Sequence, residues 1–355
     1  MQPPHGEPDG TNAAARQALV FAAEALGFSA CRIAPAVPTP YAPEYRKWIA
    51  EGCHASMQWM ERQMEKRLDP SLVLAGARSI AVLSYEYASA DARKEPGRMA
   101  RYAQGIDYHR LIESKLADLD ITLQDYGGEQ RCYVDSGPVN ERDYALLAGI
   151  GWRGRHGQIV REGKGSLFFL ATMVTTLALP ADAPVTDRCG SCRRCESLCP
   201  GGALKNGFCD ARRCLSYWTI EHKGAIPEAW RVRMGDRLYG CDSCLEACPW
   251  NRFAAGAADA RLLMPEKLAR MPLRDMLFLN DDDFAALFRH SPIRRIKREG
   301  FLRNACCVLG NVGGKGDLPA LRHAAEDAPL IAEHARWAEA RILARTGDAG
   351  TASQI

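Results

Sequence analysis

Four cysteines and a proline fall within twelve residues, at Cys189, Cys192, Cys195, Cys199 and Pro200, in the spacing C-x2-C-x2-C-x3-C-P. Thiolates two residues apart can wrap one face of an iron–sulfur cubane, while the fourth, placed before proline, turns toward a neighbouring cluster. A second run, Cys241, Cys244 and Cys248 before Pro249, lacks its leading cysteine, and Cys214 can supply it from a distance. The expected ligand sets are Cys189, Cys192, Cys195 and Cys248 for one 4Fe-4S cluster, and Cys199, Cys214, Cys241 and Cys244 for the other. A pair of zinc knuckles is the alternative, but zinc requires neither the third thiolate at two residues nor the proline after the fourth. Cys31, Cys53, Cys132, Cys209, Cys306 and Cys307 show no ligand spacing and read as small core residues. Two clusters in series carry single electrons inward, to a site elsewhere in the chain.

Several stretches could form that site. In "VDSGPVNERD", Asp135 ends the strand "RCYV" just before the turn residues Ser136, Gly137 and Pro138. A carboxylate there faces the crevice where α/β folds bind ligands, and partial burial would raise its pKa toward that of a useful general acid. From spacing alone, an Asx-turn that caps the next helix is the simpler reading. Gly149, Gly151 and Gly154 spell a dinucleotide fingerprint, yet they follow a helix pattern instead of a strand, and Gly149 sits where a C-cap glycine belongs. Asp107 and His109 match part of the D-x-H-x-x-G pattern that ligates cobalamin cobalt, but position 112 is Ile112, so a helix cap with a first-turn histidine is preferred. Late in the chain, "RHSPIRRIKREGFLRN" gathers Arg289, Arg294, Arg295, Lys297, Arg298 and Arg303 against Glu299. Such a stripe suits phosphate contacts, with a solvated helix face as the alternative.

The elements that must position these residues divide the 355-residue chain into three. Residues 1–180 mix strands ("RSIAVLSYEY", "RCYVD") with amphipathic helices, among them "TNAAARQALVFAAEALGF" with Thr11 or Asn12 as N-cap, and form an α/β domain. Residues 181–258 are a ferredoxin-like two-cluster domain entered through the proline-rich "LALPADAPVTDRC". Residues 259–355 form the third region, in which strand-like alternation is absent from Pro265 onward and helices follow, with Pro319 and Pro329 where N1 prolines belong, in a pattern of HEAT-like repeats. The fold class is thus multidomain α/β plus all-α. The longest apolar run, Leu167 to Leu179, is too short for a bilayer and carries three threonines. "MQPPHGEPDG" reads as a disordered lead without a basic or apolar export region, so a cytoplasmic, monomeric protein with no membrane partner is expected. In a reducing compartment, fourteen cysteines suit metal ligation better than disulfides.

Together these stretches resemble the cobalamin-dependent tRNA epoxyqueuosine reductases. The resemblance runs through "HASMQWM" (54–60), "KRLDP" (66–70), "RYAQGIDYH" (101–109), "VDSGPVNERDYALLAGIGWRGRHG" (134–157), "CRRCESLCPGGAL", "DARRCLSYWTIEHKGAIP", "YGCDSCLEACPWN" and "KREGFLRNACCVLGN". It implies a cobalamin held against the α/β domain beside the clusters, and a tRNA anticodon stem-loop carrying epoxyqueuosine laid across the basic helical tail. By the same resemblance the epoxide oxygen of the wobble nucleoside is removed to give queuosine, and Asp135 becomes the general acid. The incomplete histidine pattern fits a family that binds cobalamin without a protein histidine on cobalt. Corrin contacts carry over to Met57, Arg101, Asp135 and His156 and, from "SYWTIEHKG", to Lys223; the tRNA-facing tail carries over to Arg294, Arg295, Lys297, Arg298 and Arg303. Some members place a cysteine just before "RYAQG", where this chain has Met99 and Ala100, so no catalytic thiol carries over. A flavodoxin or small ferredoxin is the expected electron donor.

Two other functions compete. A corrinoid reductive dehalogenase also joins a cobalamin domain to a two-cluster module, but typically with a twin-arginine signal and without a basic helical tail. A ferredoxin-type carrier would leave the α/β domain without a role.

Overall fold

The computed structural model describes residues 10–88 and 95–347. Nearly all of the N-terminal lead read as disordered lies outside the described residues. Helix α1 (Gly10–Ala25) begins at Gly10, so Thr11 and Asn12, expected as caps, lie inside its first turn.

Strands β1 (Ala30–Pro35), β2 (Ser79–Glu86), β3 (Gln130–Tyr133) and β4 (Phe168–Thr175) form one sheet in the order β1-β2-β4-β3, every pair antiparallel. All eight residues of β2 are buried. Alternation explains why: Ala81, Leu83 and Tyr85 face one core and Ile80 and Val82 the other, so both sheet faces are covered. Helices α1 and α2 (Tyr108–Gln124) close the first face through Leu19, Ala23, Ile112 and Leu116, while α3 (Glu141–Leu147) closes the second through Tyr144 and Ala145. The expected α/β domain is therefore a helix–sheet–helix sandwich, but its sheet is not of the parallel kind. At the end where β2 and β3 stop, β1 and β4 start, and Asp135 stands at that end because β3 terminates there.

The fingerprint glycines serve packing. Gly149 has φ +69, and a Cβ on it would lie 2.1 Å from the Ala183 carbonyl; one on Gly151 would lie 2.1 Å from that of Val160.

The thiol-rich region is built from short pieces: helices Arg194–Ser197 and Ser243–Glu246, the hairpin Leu204–Lys205/Phe208–Cys209, a π-helical turn Tyr217–Glu221 and the helix Glu228–Met234. The C-terminal region is helical, with α4 (Lys297–Val312), α5 (Leu318–Ala324) and α6 (Pro329–Thr346) following shorter turns. Pro329 occupies the first turn of α6 as expected.

The three regions share their cores. Arg98–Met99 pairs in parallel with Arg237–Tyr239, and the core beneath α4 and α6 includes Met99, Ala103, Leu238 and Tyr239. Arg303 of α4 ties two of the regions together. Only 1% exposed, it donates to the carbonyls of His222 (2.7 Å), Gly224 (2.9 Å) and Trp218 (3.1 Å). Asn304 beside it donates to the carbonyls of Thr219 and Leu238. Arg303→Ala would strand three carbonyls in the interior; a loss of about 3 kcal/mol or more is expected, read as a lower apparent melting temperature. Among the described residues no helix is long and apolar enough to cross a membrane.

Candidate active site

Asp135 sits in a left-handed backbone conformation (φ +57) at the end of β3, with its N–H donating to Glu141 Oε1 at 3.0 Å. Its carboxylate is approached from the start of α2. There Asp107 caps the helix, accepting the His109 N–H at 3.1 Å and His109 Nδ1 at 2.7 Å. Tyr108 OH donates to Asp135 Oδ2 at 2.7 Å, and His109 Nε2 lies 3.7 Å from the same oxygen. Tyr108 stacks on Phe169 of β4 (centroids 4.0 Å) and on His109 (4.1 Å), which fixes both rings.

The electrostatics reverse the expectation from the sequence. The Asp135 side chain is 68% exposed. Desolvation pushes its pKa up, but the nearby His109 cation and the hydrogen bond from Tyr108, with the charge of Arg142, outweigh it and hold the pKa down at about 2. His109 moves the other way. Burial disfavours its charge, yet Asp107 and Asp135 raise it to about 9. The half-buried Glu141 carboxyl is held well above the ordinary range, first by desolvation and then by the Asp135 charge. At neutral pH the cleft therefore holds an ionised Asp135 beside an imidazolium.

A chain of contacts links this cleft to the thiols. Phe169 packs on Tyr87 (4.5 Å), and the Tyr87 hydroxyl is held protonated by burial and then by the charges of Asp242 and Cys244. Asp242 also accepts the Arg101 N–H at 2.7 Å, and the Arg101 guanidinium reaches Asp242 and Glu246 at 3.9 and 3.6 Å. The thiols fall into two neighbourhoods. Cys195 is raised to about 11 by burial and then by Cys248, Glu196 and Cys189, and Cys248 in turn feels Cys189 and Cys192. Cys244 is raised by burial and then by Cys241, Cys214, Asp242 and Cys199. Of the cysteines read as core, Cys306 and Cys307 are fully buried, while Cys31, Cys53 and Cys132 are only partly so. Cys209 is not a bystander. Its thiol lies close enough to Cys214 to hold that thiol below its ordinary range; no local spacing announced this pairing.

Known proteins are similar to this chain over most of its length. An epoxyqueuosine reductase of Xanthomonas campestris is 38% identical over 349 residues, covering 94% of this chain and 97% of that one. This chain belongs to the epoxyqueuosine reductase family. The family's Escherichia coli member is 36% identical over 331 residues, 90% of this chain and 87% of that one. Residues 67–136 match the epoxyqueuosine reductase QueG family model, and residues 188–251 match the 4Fe-4S double cluster binding domain. Among solved structures, an epoxyqueuosine reductase bound to an epoxyqueuosine-modified tRNA stem loop superposes with TM-score 0.88 at 28% identity, over 93% of this chain and 91% of that one. A Bacillus subtilis reductase, with its catalytic aspartate loop swung out of the active site, gives TM-score 0.85 at 27% identity, over 95% and 93%. Family membership over nearly the whole chain decides against the dehalogenase reading.

The other predicted site residues of this reductase are unevenly placed. Met57 is half-buried, and its neighbour Ser56 bonds Tyr217 OH at 2.8 Å, which seats the loop on the π-helical turn. Lys223 is exposed one residue past His222. His156 is 4% exposed; its Nδ1 accepts the Gln158 N–H at 3.1 Å, and its pKa is held down to about 4 by burial and then by Arg142. Among the described residues His156 Nε2, Trp152 Nε1 and His54 Nδ1 are buried without a hydrogen-bond partner. On the tail, Arg294, Arg295 and Lys297 are exposed, and Arg295 pairs with Glu221 at 2.9 Å within electrostatic reach of Asp135. Arg298 and Arg303 do not fit the RNA contact expected of them. Arg298 is committed to Asp327 and to the Leu279 carbonyl at 2.6 Å, and Arg303 is enclosed by backbone carbonyls.

Proposed function

We propose that this chain reduces epoxyqueuosine at the wobble position of tRNA to queuosine, with two 4Fe-4S clusters as electron relay, cobalamin as cofactor and Asp135 as the group that passes a proton to the departing oxygen. Support comes chiefly from one observation: a run of contacts from the Asp135 carboxylate through Tyr108 and Phe169 ends at Tyr87, which lies within electrostatic reach of the Cys244 thiol. The ligand sets are those expected from the spacing, and the two neighbourhoods of mutually charged thiols support them. The donor is an external one-electron carrier such as a flavodoxin or small ferredoxin, and the enzyme acts as a cytoplasmic monomer.

Cobalamin suits the residues present. Its rim carries amides that both donate and accept, and the buried His156 Nε2, Trp152 Nε1 and His54 Nδ1 each have an unmet hydrogen bond. Met57, Arg101, His156 and Lys223 would hold it, with Arg101 already steadied by Asp242 and Glu246. When bound and fully reduced, the cofactor would supply a metal-centred nucleophile able to attack carbon and open an epoxide. Tyr108 orients Asp135 Oδ2 toward the leaving oxygen, and Glu141 anchors the backbone of the turn that carries it.

The tail helices α4 to α6 serve as a HEAT-like scaffold for the anticodon stem-loop, with Arg294, Arg295 and Lys297 on phosphate. Arg294→Glu and Lys297→Glu are each expected to weaken stem-loop binding and to lower the slope of log affinity against log salt by about one. Titration of binding at several salt concentrations checks this.

The test of the function is nucleoside mass spectrometry of epoxyqueuosine-containing tRNA after anaerobic incubation with cluster-loaded protein and a strong reductant, with cobalamin added or omitted. Queuosine only where cobalamin is present supports substrate and cofactor together. No queuosine from protein with full iron and sulfide would overturn the reading.

A further inference from the structure

We infer that His109, held by Asp107, is the proton reservoir of Asp135 and delivers through it one of the two protons that removal of the epoxide oxygen consumes. The inference rests on the function proposed above and concerns a residue that function leaves without a role.

Expelling the epoxide oxygen as water breaks two C–O bonds, restores a C=C bond, and takes up two electrons and two protons. The electrons arrive singly through the clusters from the external reductant. The protons must reach the oxygen through side chains. Asp135 is ionised at neutral pH and has no proton of its own to give. Its Oδ2 accepts one hydrogen bond, from Tyr108, and has one cationic neighbour, His109. Tyr108 at 2.7 Å is held well above the ordinary range by burial and by the Asp135 charge, so it orients and keeps its proton. His109 Nε2, 3.7 Å away, carries an exchangeable proton, and the 2.7 Å bond from Nδ1 to Asp107 keeps the ring aimed. As the leaving oxygen draws on Asp135, the Nε2 proton passes to Oδ2 and from there to the oxygen, and His109 becomes neutral. Its side chain is 28% exposed, so solvent can reload it for the second C–O cleavage.

The charges around the ring favour this. Asp107 and Arg110 belong to α2; Asp135, Glu141 and Arg142 approach from the β3–α3 side; Arg295 approaches from the tail, where the His290 carbonyl also accepts the Asp107 N–H at 2.5 Å. His109 is a relay that works through Asp135, so it is tested by pH dependence as well as by rate.

Single-turnover conversion is followed against pH in cluster- and cobalamin-loaded enzyme with chemical reductant, stem-loop saturating. The wild type should hold its rate through neutral pH and lose it as pH rises through about 9, where His109 gives up its proton. Asp107→Asn, which keeps a capping oxygen, should move that fall to lower pH with the plateau retained. His109→Gln should lower the plateau about a hundredfold and abolish the fall, with cobalamin and stem-loop affinity unchanged. Histidine-labelled NMR of the oxidised holoenzyme should find His109 doubly protonated at pH 7.5. A fall at the same pH in His109→Gln, or a neutral His109 at pH 7.5, overturns the relay. Loss of conversion in the wild type at every pH would instead count against the proposed function.

Discussion

Replacing Asp135 with asparagine is expected to cut single-turnover conversion about a thousandfold while leaving iron, sulfide, cobalamin and stem-loop affinity at wild-type levels. The substitution is clean for three reasons. Asparagine tolerates the left-handed backbone at φ +57 about as well as aspartate, so the turn keeps its shape. Its carbonyl can still accept from Tyr108, and its N–H still meets Glu141. What it lacks is an oxygen able to take up and release a proton. Because the Asp135 pKa lies below its ordinary 3.8, at about 2, its pairing stabilises the fold above pH 3.8 and fades as pH falls through 2, so no loss of rate from this group is expected at neutral or mildly acidic pH. Nucleoside mass spectrometry and the cofactor spectra of the same sample check both halves. Conversion at the wild-type rate would remove Asp135 from the proton path.

The second large effect concerns the thiols. Cys248→Ala is expected to remove one cluster, about four irons with their sulfide, and to take turnover below detection even with chemical reductant, because a break in a series relay stops it entirely. Grouping makes the sharper test. If Cys195 and Cys248 serve one cluster, as the charge effect of Cys248 on Cys195 suggests, the double variant Cys195→Ala/Cys248→Ala should lose no more iron than either single variant. Cys214→Ala/Cys248→Ala, drawn from both sets, should lose all of it. Iron and sulfide analysis after anaerobic reconstitution gives the answer, and an equal loss in the two double variants would break the assignment. Zinc in place of iron, without sulfide, would return the knuckle reading.

Much of this chemistry is local and therefore legible. Cluster spacing is set over a dozen residues, so Cys189 to Pro200 announced a two-cluster module before any fold was known. The helix starting at Asp107, the C-cap role of Gly149 and the absence of strands among the described residues of the tail are likewise matters of neighbouring residues, and the structure bears them out. Asp135 was found by its turn and by family resemblance, but its partners were not: Tyr108 lies 27 positions away and meets it only because α2 and β3 pack together. Hence the expected rise in its pKa became a fall, since a carboxylate's proton affinity depends on what faces it across the cleft. Arg303 shows the same limit. A row of basic residues reads as a charged surface, yet tertiary packing turned one of them inward to bind three carbonyls and put another on Asp327. The boundaries expected at residues 180 and 258 mark changes in composition, whereas Met99 and Tyr239 lie in the core of the tail. The sequence by itself determined which residues can ligate iron and which helices form, because those depend on spacing along the chain. Only the tertiary structure decided which charges meet, which stay in water and which histidine stands behind the acid, because those depend on distances between segments far apart in sequence.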